Sequence, residues 1–174
     1  MLKNLIIAKT IRLLRETAGR FLFTRYVGKC GCLNAAMSFM TWNQIEGDYL
    51  EFGVYKGRSF AAAYHALMYN RNNYLKLGYD SPEHRHWKES PPRFFAFDSF
   101  EGLPGGAFER HVDYREGAYQ CPQDRFRDNL GMLGVDLKDV VVVPGFYDKT
   151  LNDEIKTRHA LRKAAVVMID CDLY

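Results

Sequence analysis

Hydrophobic positions along the chain fall into short apolar runs, separated by longer stretches with helical spacing. The tightest run is Tyr49, Leu50, Phe52, Val54 and Tyr55, within Asp48-Tyr-Leu-Glu-Phe-Gly-Val-Tyr-Lys-Gly-Arg-Ser59. It predicts a buried parallel strand over 48–54 that enters a glycine turn. Gly53 and Gly57 let the main chain turn closely, and Ser59 is placed to cap a helix running from Phe60 to about Tyr69. Further strands are expected in Arg93-Phe-Phe-Ala-Phe-Asp-Ser-Phe100, Val140-Val-Val-Val-Pro-Gly145 and Ala164-Ala-Val-Val-Met-Ile-Asp-Cys-Asp172. Helices are expected over 2–18, about 33–45, 123–134 and about 151–163, and the alanines at 61–63 allow close packing on a sheet. Residues 70–93 are polar and contain Pro82, Pro91, Pro92, His84 and His86, so they read as a long solvated loop, a lid or an oligomer contact. Strands alternating with helices predict an α/β domain over 46–174 with a parallel, doubly wound sheet, after a helical cap over 1–45.

Composition narrows this picture little. At 174 residues, with 47% hydrophobic and 14% aromatic content, the chain can bury one domain core and hardly more. A net charge of +3 and a pI near 8.6 are mild. The excess is local, with Lys3, Lys9, Arg12, Arg15, Arg20, Arg25 and Lys29 set against Glu16 alone in residues 1–30. These charges are spread around the helical wheel, which favours a solvated helix packed on the domain over a nucleic-acid partner. The run Leu5-Ile-Ile-Ala8 is too short for a signal-peptide core and is followed at once by Lys9, and no stretch is long enough for a membrane span. Cys30, Cys32, Cys121 and Cys171 have no disulfide-framework spacing and read as reduced thiols of a cytoplasmic protein. Cys30-Gly-Cys32 lacks a second Cys or His pair at zinc spacing.

Candidate chemistry gathers where the strands end, because open α/β sheets bind ligands at their carboxyl ends. Glu51 places an acid within the first strand, and Asp98 closes the second. A carboxylate there can accept bonds from both ribose hydroxyls, each charge-assisted bond being worth roughly 1.5–3 kcal/mol, or it can cap a helix. Phe146 and Tyr147, just past Gly145, can wall a pocket. In the fourth strand, period-2 alternation puts Met168, Asp170 and Asp172 on one face and Ile169, Cys171 and Leu173 on the other. Two hard carboxylates emerging together suit Mg²⁺ or Mn²⁺.

Four segments together carry a family resemblance. Glu51-Phe-Gly-Val-Tyr-Lys-Gly-Arg-Ser59, Phe97-Asp-Ser-Phe-Glu-Gly-Leu-Pro104, Gly145-Phe-Tyr-Asp-Lys-Thr-Leu151 and Ile169-Asp-Cys-Asp-Leu-Tyr174 resemble the macrocin O-methyltransferase family of S-adenosylmethionine-dependent sugar O-methyltransferases. They occur in the family's order across about residues 45–174. The resemblance implies the Rossmann-like sheet of a class I methyltransferase and S-adenosylmethionine as cofactor. Its contacts would come from Glu51, Gly53, Tyr55, Gly57, Ser59, Asp98, Ser99 and Phe146, with the turn against the methionine part and Asp98 on the ribose. Mg²⁺ on Asp170, with Asp172 as the motif's second acid, and a small-molecule sugar or glycoside acceptor are also implied. No residue is singled out as the general base. The glycine pattern departs from the Gly-x-Gly-x-x-Gly of dinucleotide sites, which fits a cofactor that has no pyrophosphate to cradle.

A complete sheet of this kind continues for three strands beyond the fourth. In the expected order 3-2-1-4 the fourth strand is therefore an edge with two apolar faces to cover. An incomplete gene, a partner that completes the sheet, or a homo-oligomer formed through that strand each account for this. Two other functions fit parts of the pattern. A glycosyltransferase would hold a nucleotide-sugar diphosphate through Asp170-Cys-Asp172, and a non-catalytic interaction module would bind no cofactor.

Overall fold

The computed structural model describes residues 31–105, 115–161 and 163–171. The expected helix at 2–18, Cys30 and Asp172 lie outside them. A helix α1 covers 31–42. It is followed by β1 (Asp48–Phe52), α2 (Arg58–Leu75), α3 (Pro82–Glu89), β2 (Phe94–Asp98), α4 (Gln123–Met132), β3 (Val140–Pro144), α5 (Tyr147–Thr150), α6 (Asp153–Arg158) and β4 (Ala164–Ile169).

All four strands are parallel, in the order β3-β2-β1-β4, as expected. Alternation along the strands sends side chains to two cores. On one face Tyr49, Phe94, Ala96 and Val140 pack with Phe60, Ala63 and Leu67 of α2, Phe126 and Leu130 of α4, and Met37 and Met40 of α1. On the other, Leu50, Phe95, Phe97 and Val143 meet Ile155 and Leu161. The central strands β1 and β2 are buried along almost their whole length, whereas β4 is an edge on which Val167 and Ile169 are 50% and 72% exposed.

At the amino-terminal end of the sheet a single arginine ties three segments together. Arg93 donates from Nη2 to Asp48 Oδ2 at 2.7 Å and from its main-chain N–H to Asp48 Oδ1 at 2.9 Å. Its Nη1 and Nη2 also reach the carbonyls of His159 and Ala160, at 2.7 and 3.2 Å. The guanidinium thereby fixes the entry of β1 and β2 and the chain leading to β4 in one place.

Three local expectations are corrected. Residues 70–93 are not one solvated loop: α2 runs on to Leu75, and α3 occupies Pro82–Glu89. The prolines and polar residues that suggest a loop are here a helix start. Ser81 accepts from His84 N–H at 3.1 Å, Pro82 opens the helix, and Glu83 lies in its first turn. His84 is accordingly buried, 5.1 Å from the ring of Tyr74, while His86 remains outside beside Glu46. The second correction concerns Ser59. The helix starts at Arg58 with Gly57 as its cap, so Ser59 caps nothing and its hydroxyl is free for another partner. Third, the helix expected over about 151–163 is shorter, α6 covering only Asp153–Arg158, with the separate turn of α5 before it. Asn152 caps α6 by accepting from Ile155 N–H at 3.0 Å.

Candidate functional site

The carboxyl ends of the strands are held in a row by main-chain bonds. Gly53 N–H donates to Phe97 O at 2.9 Å, Gly145 N–H to Asp98 O at 2.9 Å, and Asp170 N–H to Phe52 O at 2.8 Å. Gly53 sits where a side chain is excluded twice over. Its φ is +85°, and a Cβ there would lie 2.5 Å from the carbonyl oxygen of Asp170. The turn beyond it closes through Gly57 N–H to Val54 O at 2.8 Å. Gly57, at φ +79°, lets α2 approach α4, since a Cβ there would meet Phe126 and Leu130 at 2.9 Å.

Asp98 is the hub of this end of the sheet. Its Oδ2 accepts from the N–H groups of Val54 and Tyr55, at 2.8 and 3.1 Å, and its Oδ1 from Phe100 N–H at 2.8 Å. A carboxylate offers about four acceptor positions, so the main chain takes three and leaves one for a ligand. The same bonds hold Tyr55 and Phe100 in left-handed conformations, at φ 44° and 60°. Ser99 Oγ donates to Gly102 O at 2.9 Å and shapes the turn that follows.

Glu51 lies beneath the turn and is fully buried. Its Oε1 accepts from Ser59 Oγ at 2.6 Å and its Oε2 from Tyr49 Oη at 2.5 Å. Burial pushes its carboxyl up to about 7. The two hydroxyl bonds pull the other way, and the nearby charges of Asp170 and Asp98 raise it further. Among the described residues no cation is one of those influences.

These strand ends floor a cleft of about 850 Å³. Gly53, Tyr55, Ser59, Asp98, Ser99, Phe146 and Asp170, all picked out from the sequence, line it together. Glu51 and Gly57 do not: one lies under the floor and the other faces α4. The lining also includes residues that sequence reasoning did not select, notably Lys56, Arg58, Leu103, Pro104, Tyr119 and Lys149. Tyr119 gave no local signal, because a fold in the β2–α4 connection is what carries it to Tyr55. Burial raises the phenol of Tyr147, the wall residue next to Phe146, and Cys171 and Asp98 add to the effect.

A metal ion has a limited donor set here. Asp170 is exposed and lines the cleft, but among the described residues no three His, Cys, Asp or Glu side chains gather as a metal site. Asp148 lines the cleft as well, and such dispersed carboxylates fit an ion that keeps most of its waters, as Mg²⁺ does, and do not fit a closed zinc cage. Among the described residues no helix is long and apolar enough to cross a membrane.

A parallel 3-2-1-4 sheet with a glycine turn after β1 and an acid closing β2 is a Rossmann-like arrangement. Solved structures agree at the level of the fold. The O-methyltransferase NovP superposes with a TM-score of 0.60 at 18% identity, over 84% of this chain and 54% of that one. The calicheamicin methyltransferase CalS11 does so with a TM-score of 0.55 at 18% identity, over 86% of this chain and 56% of that one. The chain thus spans little more than half the length of either. No curated protein matches it. The family described as Macrocin-O-methyltransferase (TylF) matches residues 27–174, and the chain belongs to that family.

Proposed function

We propose that this chain forms the cofactor-binding half of an S-adenosylmethionine-dependent O-methyltransferase acting on a sugar or glycoside hydroxyl. The carrying observation is Asp98, whose carboxylate joins the end of β2 to the glycine turn after β1 and keeps one acceptor position at the cleft. In this reading that position takes a ribose hydroxyl, one bond and not the two that the sequence suggested. The Gly53–Gly57 turn receives the methionine part, Ser59 and Tyr55 line it, and Phe146 with Ser99 walls the nucleoside.

The reaction forms a bond between the acceptor oxygen and the methyl carbon as the bond from that carbon to the cofactor's sulfur breaks. The hydroxyl proton leaves, and the products are a methyl ether and S-adenosylhomocysteine. Because the sulfonium methyl is already activated, the protein's main task is to align the acceptor oxygen behind it and exclude water, which supplies roughly 7–11 kcal/mol. Rigid backing of the turn by Asp98 and Glu51 serves that alignment. Asp170, with Asp172, would hold Mg²⁺, which when bound stabilises the deprotonated form of a coordinated hydroxyl.

Calorimetric titration with S-adenosylhomocysteine tests the reading. Saturable binding is expected, and Asp98→Ala, which removes both the ligand contact and the brace of the turn, should weaken it by about a hundredfold or more. Binding of a nucleoside diphosphate sugar instead, with no binding of S-adenosylhomocysteine, would refute it.

A further inference from the structure

We infer that Tyr119, braced by Tyr55, is the wall of the cleft on which the apolar face of the acceptor's sugar ring stacks, an assignment that rests on the cofactor reading above. The two tyrosines come from different connections, β1–α2 and β2–α4, and both line the cleft. Their rings meet edge to face, with centroids 5.7 Å apart and planes at 89°.

Both residues are held in the left-handed region, at φ 44° and 59°. For a bulky side chain this conformation is strained, and glycine would adopt it without that cost. Burial does not repay it, since Tyr55 is 38% and Tyr119 45% exposed. Strain kept at two places so that two half-exposed rings meet at one cleft points to a ligand contact.

Main-chain bonds fix the position of Tyr119. Leu103 N–H donates to Ala118 O at 2.9 Å, and Gly117 N–H donates to Leu103 O at 3.0 Å. Gly102 permits this approach, because a Cβ there would lie 2.6 Å from Ala118 O. On the other side the Tyr55 amide is bonded to Asp98. In the cofactor reading the sulfur, which joins the ribose to the methionine chain, would fall between Asp98 and the glycine turn. Tyr55 belongs to that turn and Tyr119 meets its ring, so in this reading both rings would wall the cleft beside the transfer point.

An aromatic surface there suits either the cationic sulfonium or an uncharged ring. The Lys56 ammonium sits 4.8 Å from the centroid of the Tyr55 ring, so that face already engages a cation, and the uncharged ring is assigned to Tyr119. A pyranose carries no charge, and its C–H face matches an aromatic ring while its hydroxyls remain free for polar groups at the rim.

The test is saturation-transfer NMR from protein saturated with S-adenosylhomocysteine to methyl α-L-rhamnopyranoside, methyl β-D-xylopyranoside and methyl β-D-glucopyranoside, none of which has an aromatic aglycone. Ring C–H protons of at least one glycoside should receive saturation in the wild type and in Tyr119→Phe. Tyr119→Gly suits the local backbone and should fold. It should lower that transfer by about fivefold or more while leaving S-adenosylhomocysteine affinity within about twofold. The assignment is overturned by no transfer to any glycoside, by unchanged transfer in Tyr119→Gly, or by a loss of more than about tenfold in S-adenosylhomocysteine affinity in that variant, which would move Tyr119 into the cofactor site. Failure of the cofactor reading is seen separately, as absence of S-adenosylhomocysteine binding by the wild type before any glycoside is added.

Discussion

Strand β1 carries two buried acids, one at each end, and the sheet treats them differently. Asp48, at the amino-terminal end, faces the Arg93 guanidinium and is paired through both oxygens. Glu51, at the carboxyl end, is more deeply buried, and its two hydrogen-bond partners are neutral hydroxyls. A buried carboxylate matched by a cation is a structural tie. One left without a cation has its charged form penalised and is free to change protonation, which marks the functional end of an α/β sheet. Here that end is also where the glycine turn, Asp98 and the cleft lie.

The largest expected effect concerns the unmatched acid. With the folded-state value near 7 against an ordinary 4.5, the folded chain keeps a proton that the unfolded chain has already lost between those two pH values. Stability should therefore fall by about 3 kcal/mol as pH rises from roughly 4.5 to 7. Glu51→Gln should remove that slope, and denaturant unfolding of both proteins at pH 5 and pH 8 measures the difference. Parallel curves would mean that Glu51 is not held as described.

The matched acid gives the converse. Arg93→Ala should cost about 2 kcal/mol, at the lower end for a broken buried pair because the guanidinium is partly exposed. It should leave S-adenosylhomocysteine affinity unchanged, since the cleft lies at the opposite end of the strands. A large loss of affinity in this variant would break the division of labour between the two ends.

Ser59→Ala probes the smallest element. Losing one hydroxyl donor should cost about 1 kcal/mol above pH 7. Because that bond favours the ionised form, its removal should move the Glu51 transition to higher pH. The same unfolding series, run at closer pH intervals, reads the midpoint.

Much of this was legible from the chain. The apolar runs around Tyr49, Phe94, Val140 and Val166 became four parallel strands because each is too short for a helix and is followed by a turn and a helical stretch. Gly53 and Asp98 are expected at a cleft because an α/β sheet offers its strand ends to ligands, and both line the cleft here. Less of the helical layer was legible. The 70–93 segment misled because Ser81, Pro82 and Glu83 signal a helix start as strongly as a loop, and only burial of His84 and Trp87 shows which applies.

What the sequence determined by itself is therefore the period-2 and helical patterning, the strand order's raw material and the acids at the strand tips, since these depend on residues close together in the chain. What only the tertiary structure decided is how those tips are used. Asp98 gives three acceptor positions to main-chain N–H groups, Ser59 turns to Glu51 and caps no helix, and Tyr119 meets Tyr55 across the cleft. Each of these depends on contacts between segments far apart in the chain. Local pattern cannot fix such contacts, because the energy that selects them comes from packing the sheet and satisfying its buried polar groups together.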